Sequence, residues 1–229
     1  MNQKTAARIF KEHNLGKVDS VSKIEIGFTN QVYLVNDQFI LKVCEDESNE
    51  QKFEREVFFY NFFKGKIPIP KIKVFDKSKK IYAKLFMVYP KIEGHNLYSK
   101  WHLLNNDERK VIIKQLCDIL KTINQASFEE FKNKFKIDFS NNWHDKVLGE
   151  IQALLKKVEA KKLLSCEFIQ VIKQFINDNH HVLKEQKLAL VYWDSHFDNI
   201  LVRDTKIVGI LDFERTEISS IDFVLDMIK

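Results

Sequence analysis

Up to about residue 90 the apolar positions come in short alternating runs, and beyond it they recur at helical spacing, so the pattern alone predicts a sheet-rich part followed by a helix-rich one. A short amphipathic helix is predicted over 5–14, with Gly16 at the stopping position. Strand-like runs follow over 21–26, 31–35 and 39–43, separated by the turn-like groups Gly27-Phe28-Thr29-Asn30 and Asn36-Asp37. A helix is expected over 50–63, with Phe53, Val57 and Tyr60 at helical spacing. Pro68 and Pro70 each disfavour helix at the residue before them and set an extended linker. Strands over 72–75 and 83–89 then flank the basic turn 76–80, and the pattern breaks at Pro90-Lys91-Ile92-Glu93-Gly94. A domain boundary near Pro90 divides the chain into 1–90 and 91–229.

The second part is mostly helical. Residues 106–124 place Val111, Ile112, Leu116, Ile119, Leu120 and Ile123 on one face, with acids in the first turn. Further helices are expected over 143–158 and over 166–183, the latter with Ser165 as N-cap. His180 and His181 read as dipole-favoured residues of that last helical end and not as metal ligands, since no third ligand is near in sequence. The stretch 188–214 then changes rhythm to strand, loop, strand, turn, strand, with apolar runs over 188–191, 200–202 and 207–211.

Composition narrows the class. With 229 residues, 45% hydrophobic and 30% charged, this is an ordinary globular chain with an ample core. No apolar run approaches the ~18 residues of a membrane span, and the first sixteen or so residues lack the apolar core and cleavage site of a secretory signal. Cys44, Cys117 and Cys166 have neither paired nor metal-type spacing, which suggests reduced thiols in a cytoplasm. The net charge of +5 comes from lysines spread along the chain and alternating with acids, a solvated surface that implies no nucleic-acid partner. Trp101, Trp143 and the nineteen phenylalanines read as core and packing residues.

The chemistry concentrates where the late strands end. Asp194, His196 and Asn199 occupy the first loop of 188–214, and Asp212 and Glu214 follow its last strand. Two carboxylates and a carboxamide delivered by one compact hairpin suit a divalent cation and a phosphate-bearing substrate, because Mg²⁺ takes hard oxygen ligands from protein, water and phosphate. A further carboxylate can accept a proton from an attacking hydroxyl.

The D-x-x-x-x-N spacing of Asp194 and Asn199, followed by Asp212-Phe213, is also that of protein kinases. Against that group, His196 stands where lysine is usual, the triplet ends in Glu214 instead of Gly, and no A-P-E follows. The run Asp194-Ser195-His196-Phe197-Asp198-Asn199-Ile200-Leu201-Val202, with the later Asp212-Phe213-Glu214, instead resembles the aminoglycoside phosphotransferase and choline kinase-like family, whose pattern is roughly H-G-D-x-H-x-x-N-I-L-V … I-D-F-E. Tyr192-Trp193 takes the place of His-Gly, at a position that looks like a support for the loop. Gly27-Phe28-Thr29-Asn30-Gln31-Val32-Tyr33-Leu34-Val35 is similar to the family's G-x-T-N-x-V-Y-x-V hairpin.

The resemblance implies an α+β, two-lobed protein-kinase-like fold, with a small antiparallel-sheet N-lobe over 1–90 and a mainly helical C-lobe over 91–229. Ile221-Asp222-Phe223 resembles the family's Y-D-L/F segment, and with six residues beyond it the C-lobe is expected to be shortened. It further implies that Gly27, Thr29 and Asn30 cover the phosphates of ATP (or GTP), and that Lys42 binds the α- and β-phosphates. Glu56 is the expected partner of Lys42, because Glu54 lies about 200° away around the helix. Backbone groups near Val88 and Tyr89 would meet the adenine edge, Asn199 and Asp212 would hold Mg²⁺, and Asp194 would take the acceptor proton. The implied activity is ATP- and Mg²⁺-dependent phosphorylation of a small-molecule hydroxyl, with an aminoglycoside-type or related amino-alcohol acceptor and a role in antibiotic resistance. A polycationic acceptor demands an acidic cleft, which Glu129, Glu130, Asp138, Asp145, Glu150, Glu214 and Glu217 are available to supply. Choline, thiamine, an amino sugar or a macrolide remain open as acceptors. The alternative is a catalytically impaired nucleotide-binding homologue with a regulatory role. Neither a membrane nor a particular oligomeric state is implied.

Overall fold

Asn2 caps the first helix, α1 (Gln3–Glu12), by accepting from the Thr5 amide at 2.9 Å, and left-handed Asn14 and Gly16 end it two positions sooner than expected. The computed structural model describes residues 1–24, 30–137, 143–184 and 186–221. Strands β1 (Val21–Ile24), β2 (Asn30–Val35) and β3 (Phe39–Cys44) form antiparallel pairs. The β2–β3 turn places Asn36 and Asp37 both at φ +54, a conformation these two residue types tolerate. Asn36 also accepts from the Asp19 and Ser20 amides, which ties the turn to the chain leaving α1. Leu41 and Val43 join Ala6, Ile9, Phe10, Val35, Phe86 and Val88 in a closed core. Strand alternation therefore turns Lys42 to the other face.

Helix α2 (Glu50–Phe62) buries Phe53, Glu56, Val57, Phe58, Phe59 and Tyr60. Strands β4 (Val74–Asp76) and β5 (Phe86–Pro90) complete a five-stranded sheet in the order β1-β2-β3-β5-β4. Both begin later than the alternation indicates. Pairing is set by partners distant in sequence: Cys44 N–H donates to the Leu85 carbonyl and Lys73 N–H to the Val88 carbonyl. Pro90 closes β5 opposite Phe39.

Next come β6 (His95–Asn96), α3 (Leu97–Trp101) and α4 (Asn106–Gln125). A reciprocal cap starts α4: Asn105 Oδ1 accepts from the Asp107 and Glu108 amides while Glu108 Oε2 accepts from the Asn105 amide. Then follow α5 (Glu129–Phe135), α6 (Trp143–Ala160) and α7 (Cys166–Asn179), with Ser165 Oγ accepting from the Phe168 amide as an N-cap. The last helix tightens into a 3-10 turn at His180–Leu183 before reaching its expected end. His180 is not idle there, since its Nδ1 lies 2.9 Å from His144 Nε2, whose Nδ1 lies 2.7 Å from Asp145.

Strand β7 (Leu188–Val191) is followed by β8 (Ile200–Arg203), β9 (Lys206–Ile210) and β10 (Glu217–Ser220). β7 pairs with β10, and β6-β8-β9 form a small sheet. Gln115 clamps the β8–β9 turn by donating to the Thr205 carbonyl and accepting from the Ile207 amide. Gly94 lies so close to β8 and β9 that an added Cβ would sit 2.8 Å from Val208 and 3.1 Å from the Val202 carbonyl.

The chain is thus α+β, an antiparallel five-stranded sheet followed by a largely helical part. It resolves into two compact units, one of Met1–Ile123 with Tyr192–Glu217 and one of Asn124–Val191 with 218–221. The expected boundary at Pro90 lies inside the first of them. Among the described residues no helix is long and apolar enough to cross a membrane.

Candidate active site

Lys42 is buried on the face of β3 that looks toward α2, and its ammonium donates to both Glu56 oxygens at 2.8 and 2.7 Å. Glu54, two residues earlier on the helix, faces Lys77 at 3.3 Å instead. Tyr60, one turn after Glu56, donates its hydroxyl to Glu56 Oε1 at 2.7 Å and accepts from the Asp212 amide at 3.0 Å. A continuous hydrogen-bonded chain therefore runs from Lys42 through Glu56 and Tyr60 to the backbone of Asp212. It closes on itself, because Asp212 Oδ1 lies 3.8 Å from the Lys42 ammonium.

Asp212 takes a left-handed backbone, φ +59, which a non-glycine residue holds only where its surroundings insist. Phe213 supplies that insistence. Its ring is fully buried with centroids 6.1 Å from Phe59, 5.7 Å from Tyr60, 6.0 Å from Phe63 and 4.8 Å from Tyr192. The aromatic run of α2 is thus the socket that aims the carboxylate.

Charge follows from burial and neighbours. Burial alone would pull Lys42 down, but Glu56 and then Asp212 outweigh it and hold the ammonium above its usual range. Burial pushes Glu56 up to about 7, with Asp212 adding to the shift and Lys42 opposing it. The Tyr60 hydroxyl is pushed well up by burial, then by Glu56, and stays a neutral donor.

The loop after Tyr192 is fixed by its own amides. Asn199 ends a short 3-10 turn, its backbone donating to the His196 carbonyl and its side chain to the Asp194 carbonyl at 3.0 Å. The Leu211 amide in turn donates to the Asn199 carbonyl at 2.8 Å, joining this loop to the segment carrying Asp212. The Tyr192 hydroxyl donates to the Leu211 carbonyl from the same side. Asn96 donates to the Asp198 carbonyl, and Trp101 packs on Phe197 at 4.7 Å.

Asp194 stands at the open end with 19% of its side chain exposed and His196 Nε2 3.8 Å away. Burial and then Asp212 push its carboxyl up, while Arg215, His196 and Lys42 pull it back. Asn30 donates to Glu214 Oε2 at 3.1 Å, so the start of β2 is tied to the residue two beyond Asp212.

The donors suit a hard cation. Carboxylate oxygens of Glu56, Asp212 and Glu214 lie within 4.8 Å of one another. Glu56 and Glu214 already accept hydrogen bonds, whereas Asp212 Oδ1 is buried with no hydrogen-bond partner among the described residues. Its neighbouring cation is the Lys42 ammonium at 3.8 Å, which leaves it room for a further ligand. With the Asn199 amide nitrogen committed to Asp194, its carbonyl oxygen is the end available to a metal.

The structure brings Lys42, Glu56 and Asp212 together directly, Asn30 through Glu214, and Asn199 through Leu211. Gly27 and Thr29 lie outside the described residues, as do Asp222 and Phe223. Val88 sits within the sheet opposite Leu41, and its carbonyl accepts from Lys73. Tyr89 is buried opposite Ile40 with its ring 6.3 Å from Tyr60. Sequence reasoning took Tyr60 for an apolar position and left the partner of the Tyr192 hydroxyl unidentified. The available signal for Tyr60 was a lone hydroxyl four residues after Glu56 in an otherwise phenylalanine-rich run.

Comparison with known proteins places this geometry in a family setting. The sequence profile of the phosphotransferase enzyme family matches residues 20–223. Among solved structures, the streptomycin–ATP ternary complex of APH(2'')-IIa superposes with a TM-score of 0.75 at 23% identity, over 95% of this chain and 73% of that one. The GDP and kanamycin complex of APH(2'')-IIIa gives a TM-score of 0.76 at 19% identity, over 99% and 77% of the two chains. Macrolide 2'-phosphotransferase MphH from Brachybacterium faecium gives 0.71 at 14%, over 97% and 75%. At such identities the likeness is one of fold, the protein-kinase-like fold that these enzymes share. A search of curated protein sequences returns no match.

Proposed function

Because the chain belongs to the phosphotransferase enzyme family, we propose that it moves the γ-phosphoryl group of ATP, or GTP, to a hydroxyl of a small molecule, an amino alcohol of the aminoglycoside kind. The observation that carries this reading is the series of buried Lys42, Glu56 and Tyr60 bonded on to the backbone of Asp212, together with a partly exposed Asp194. The work is mainly positioning and charge stabilisation, as phosphoryl transfer requires. Lys42, held by Glu56, which Tyr60 holds in turn, meets the α- and β-phosphates. Gly27, Thr29 and Asn30 cover them, and the backbone near Val88 and Tyr89 borders the adenine. Asn199 and Asp212 are the residues that would hold Mg²⁺, which when bound supplies positive charge to the phosphates. Asp194 orients the acceptor hydroxyl and takes its proton as the new O–P bond forms, and the bond from the γ-phosphorus to the bridging oxygen breaks to release ADP. Residues 1–90 act as the nucleotide lobe and 91–229 as the lobe carrying Asp194 and the metal ligands.

The streptomycin, kanamycin and macrolide enzymes among the structural neighbours support an antibiotic acceptor and, with it, a role in resistance. ATP use and three free cysteines suit a cytoplasmic setting. The test is a coupled ADP-release screen with Mg-ATP over aminoglycosides, macrolides, choline and thiamine. Acceptor-dependent ADP formation is expected. ATP binding with no acceptor-dependent ADP from any hydroxyl compound would instead mark a regulatory homologue.

A further inference from the structure

In front of Asp194 lies a cavity of about 310 Å³ whose wall carries as many cations as acids. Lys52 and Arg55 reach it from adjacent turns of α2, and Arg215 reaches it from the residue after Glu214. The acids are Asp194, Glu214 and Glu217, and Trp193 supplies the one large apolar surface. Their duties differ. Glu214 is bonded to Asn30, and the charge of Glu217 opposes in part the lowering that burial imposes on the Arg55 guanidinium. Lys52 and Arg215 stand exposed on the rim, and the field of Arg215 reaches Asp194.

This is a poor receptacle for a polycation, because its cations match its acids in number and the charge of Arg215 acts on Asp194 itself. It is also small, at the lower end of cavities that enclose ligands. A mixed wall of this kind suits a compact molecule bearing both signs of charge. We propose that the acceptor is a small zwitterionic amino alcohol, its carboxylate received by Arg215 and Lys52, its ammonium by Glu217, and its hydroxyl by Asp194. The proposal rests on the phosphotransfer reading but departs from a polycationic aminoglycoside as its acceptor. A guanidinium and an ammonium lining one cavity offer a carboxylate two charge-assisted contacts, and these make the selection.

Two matched pairs test it: L-serine against ethanolamine, and L-homoserine against 3-aminopropan-1-ol, with kanamycin as the polycation and ADP release as the readout. Each amino acid is expected to show a kcat/KM about tenfold or more above its carboxylate-free partner. R215Q and K52Q should each remove most of that preference by raising KM for the amino acid alone. Equal use of both members of each pair, use of neither, or faster use of kanamycin overturns the proposal. So does an R215Q variant that slows both members equally, since the guanidinium would then be serving the transferred phosphoryl group. Calorimetric binding of Mg-ATP to the parent protein is measured in parallel. Binding with turnover of kanamycin alone sinks only the zwitterion, whereas no binding sinks the phosphotransferase reading with it.

Discussion

At the floor of the site Lys42, Glu56 and Tyr60 are buried and bonded in series to the Asp212 amide, whereas at its mouth Lys52, His196 and Arg215 stand in solvent around a partly exposed Asp194. Similar side chains therefore work under different rules. Inside, a charge deprived of its partner has no water to turn to, so geometry and stability are coupled. At the mouth, water screens each charge, and a residue can be altered for selectivity with little effect on the fold. The floor is where the protein holds a nucleotide site rigid, and the mouth is where it distinguishes acceptors.

Substitutions on the two sides should separate along this line. The largest effect is expected for Lys42→Met, which leaves the buried Glu56 without its cation and with the Asp212 carboxylate close by. Breaking such a buried pair typically costs about 3–5 kcal/mol, to be read from urea unfolding, and Mg-ATP turnover should vanish with it. An unfolding midpoint unchanged in this variant would mean that the floor is not a closed network. Asp194→Ala should lower kcat by about 10²–10⁴-fold in the ADP-release assay while shifting the midpoint little. Tyr60→Phe removes one hydroxyl with two partners and should cost about 1–3 kcal/mol, with a higher KM for Mg-ATP as Asp212 loses its backbone anchor. A drop in kcat without either change would place Tyr60 at the mouth instead.

The smallest effect is one of slope. Glu56 is pushed from 4.5 up to about 7 in the folded protein, so the native state holds that proton more tightly than the unfolded chain does. Its contribution to stability is full below the unfolded value and is lost as pH rises through about 7. The stability of the metal-free parent relative to Glu56→Gln should therefore decline between about pH 5 and pH 8. A difference that grows over that window would mean that Lys42 wins over burial.

The parts legible in the sequence are those where a single residue breaks a local pattern. Lys42 is the one charge in an apolar strand, and helical rotation separates Glu56 from Glu54, which the structure turns toward Lys77. The late polar residues stand where strands end, and alternation predicts such placements well. Other features depend on contacts distant in sequence. Tyr60 has the spacing of a core residue, and its role appears only when Asp212, some 150 residues later, arrives beside it. The ends of β4 and β5 are set by Cys44 and Lys73, and the His144–His180 contact joins the start of one helix to the end of the next. Short elements such as α3 and β10 offer too few residues for any period to show.

The division between floor and mouth is tested most directly by titrating Mg-ATP into Asp212→Asn and Asp194→Asn by calorimetry. Asp194→Asn should bind within a few-fold of the parent while releasing almost no ADP, and Asp212→Asn should lose most of its affinity in the presence of Mg²⁺. Equal losses of affinity in the two variants, or full Mg-ATP binding by Asp212→Asn, would show that the carboxylate beside Lys42 and the one beside His196 do not divide the work in this way.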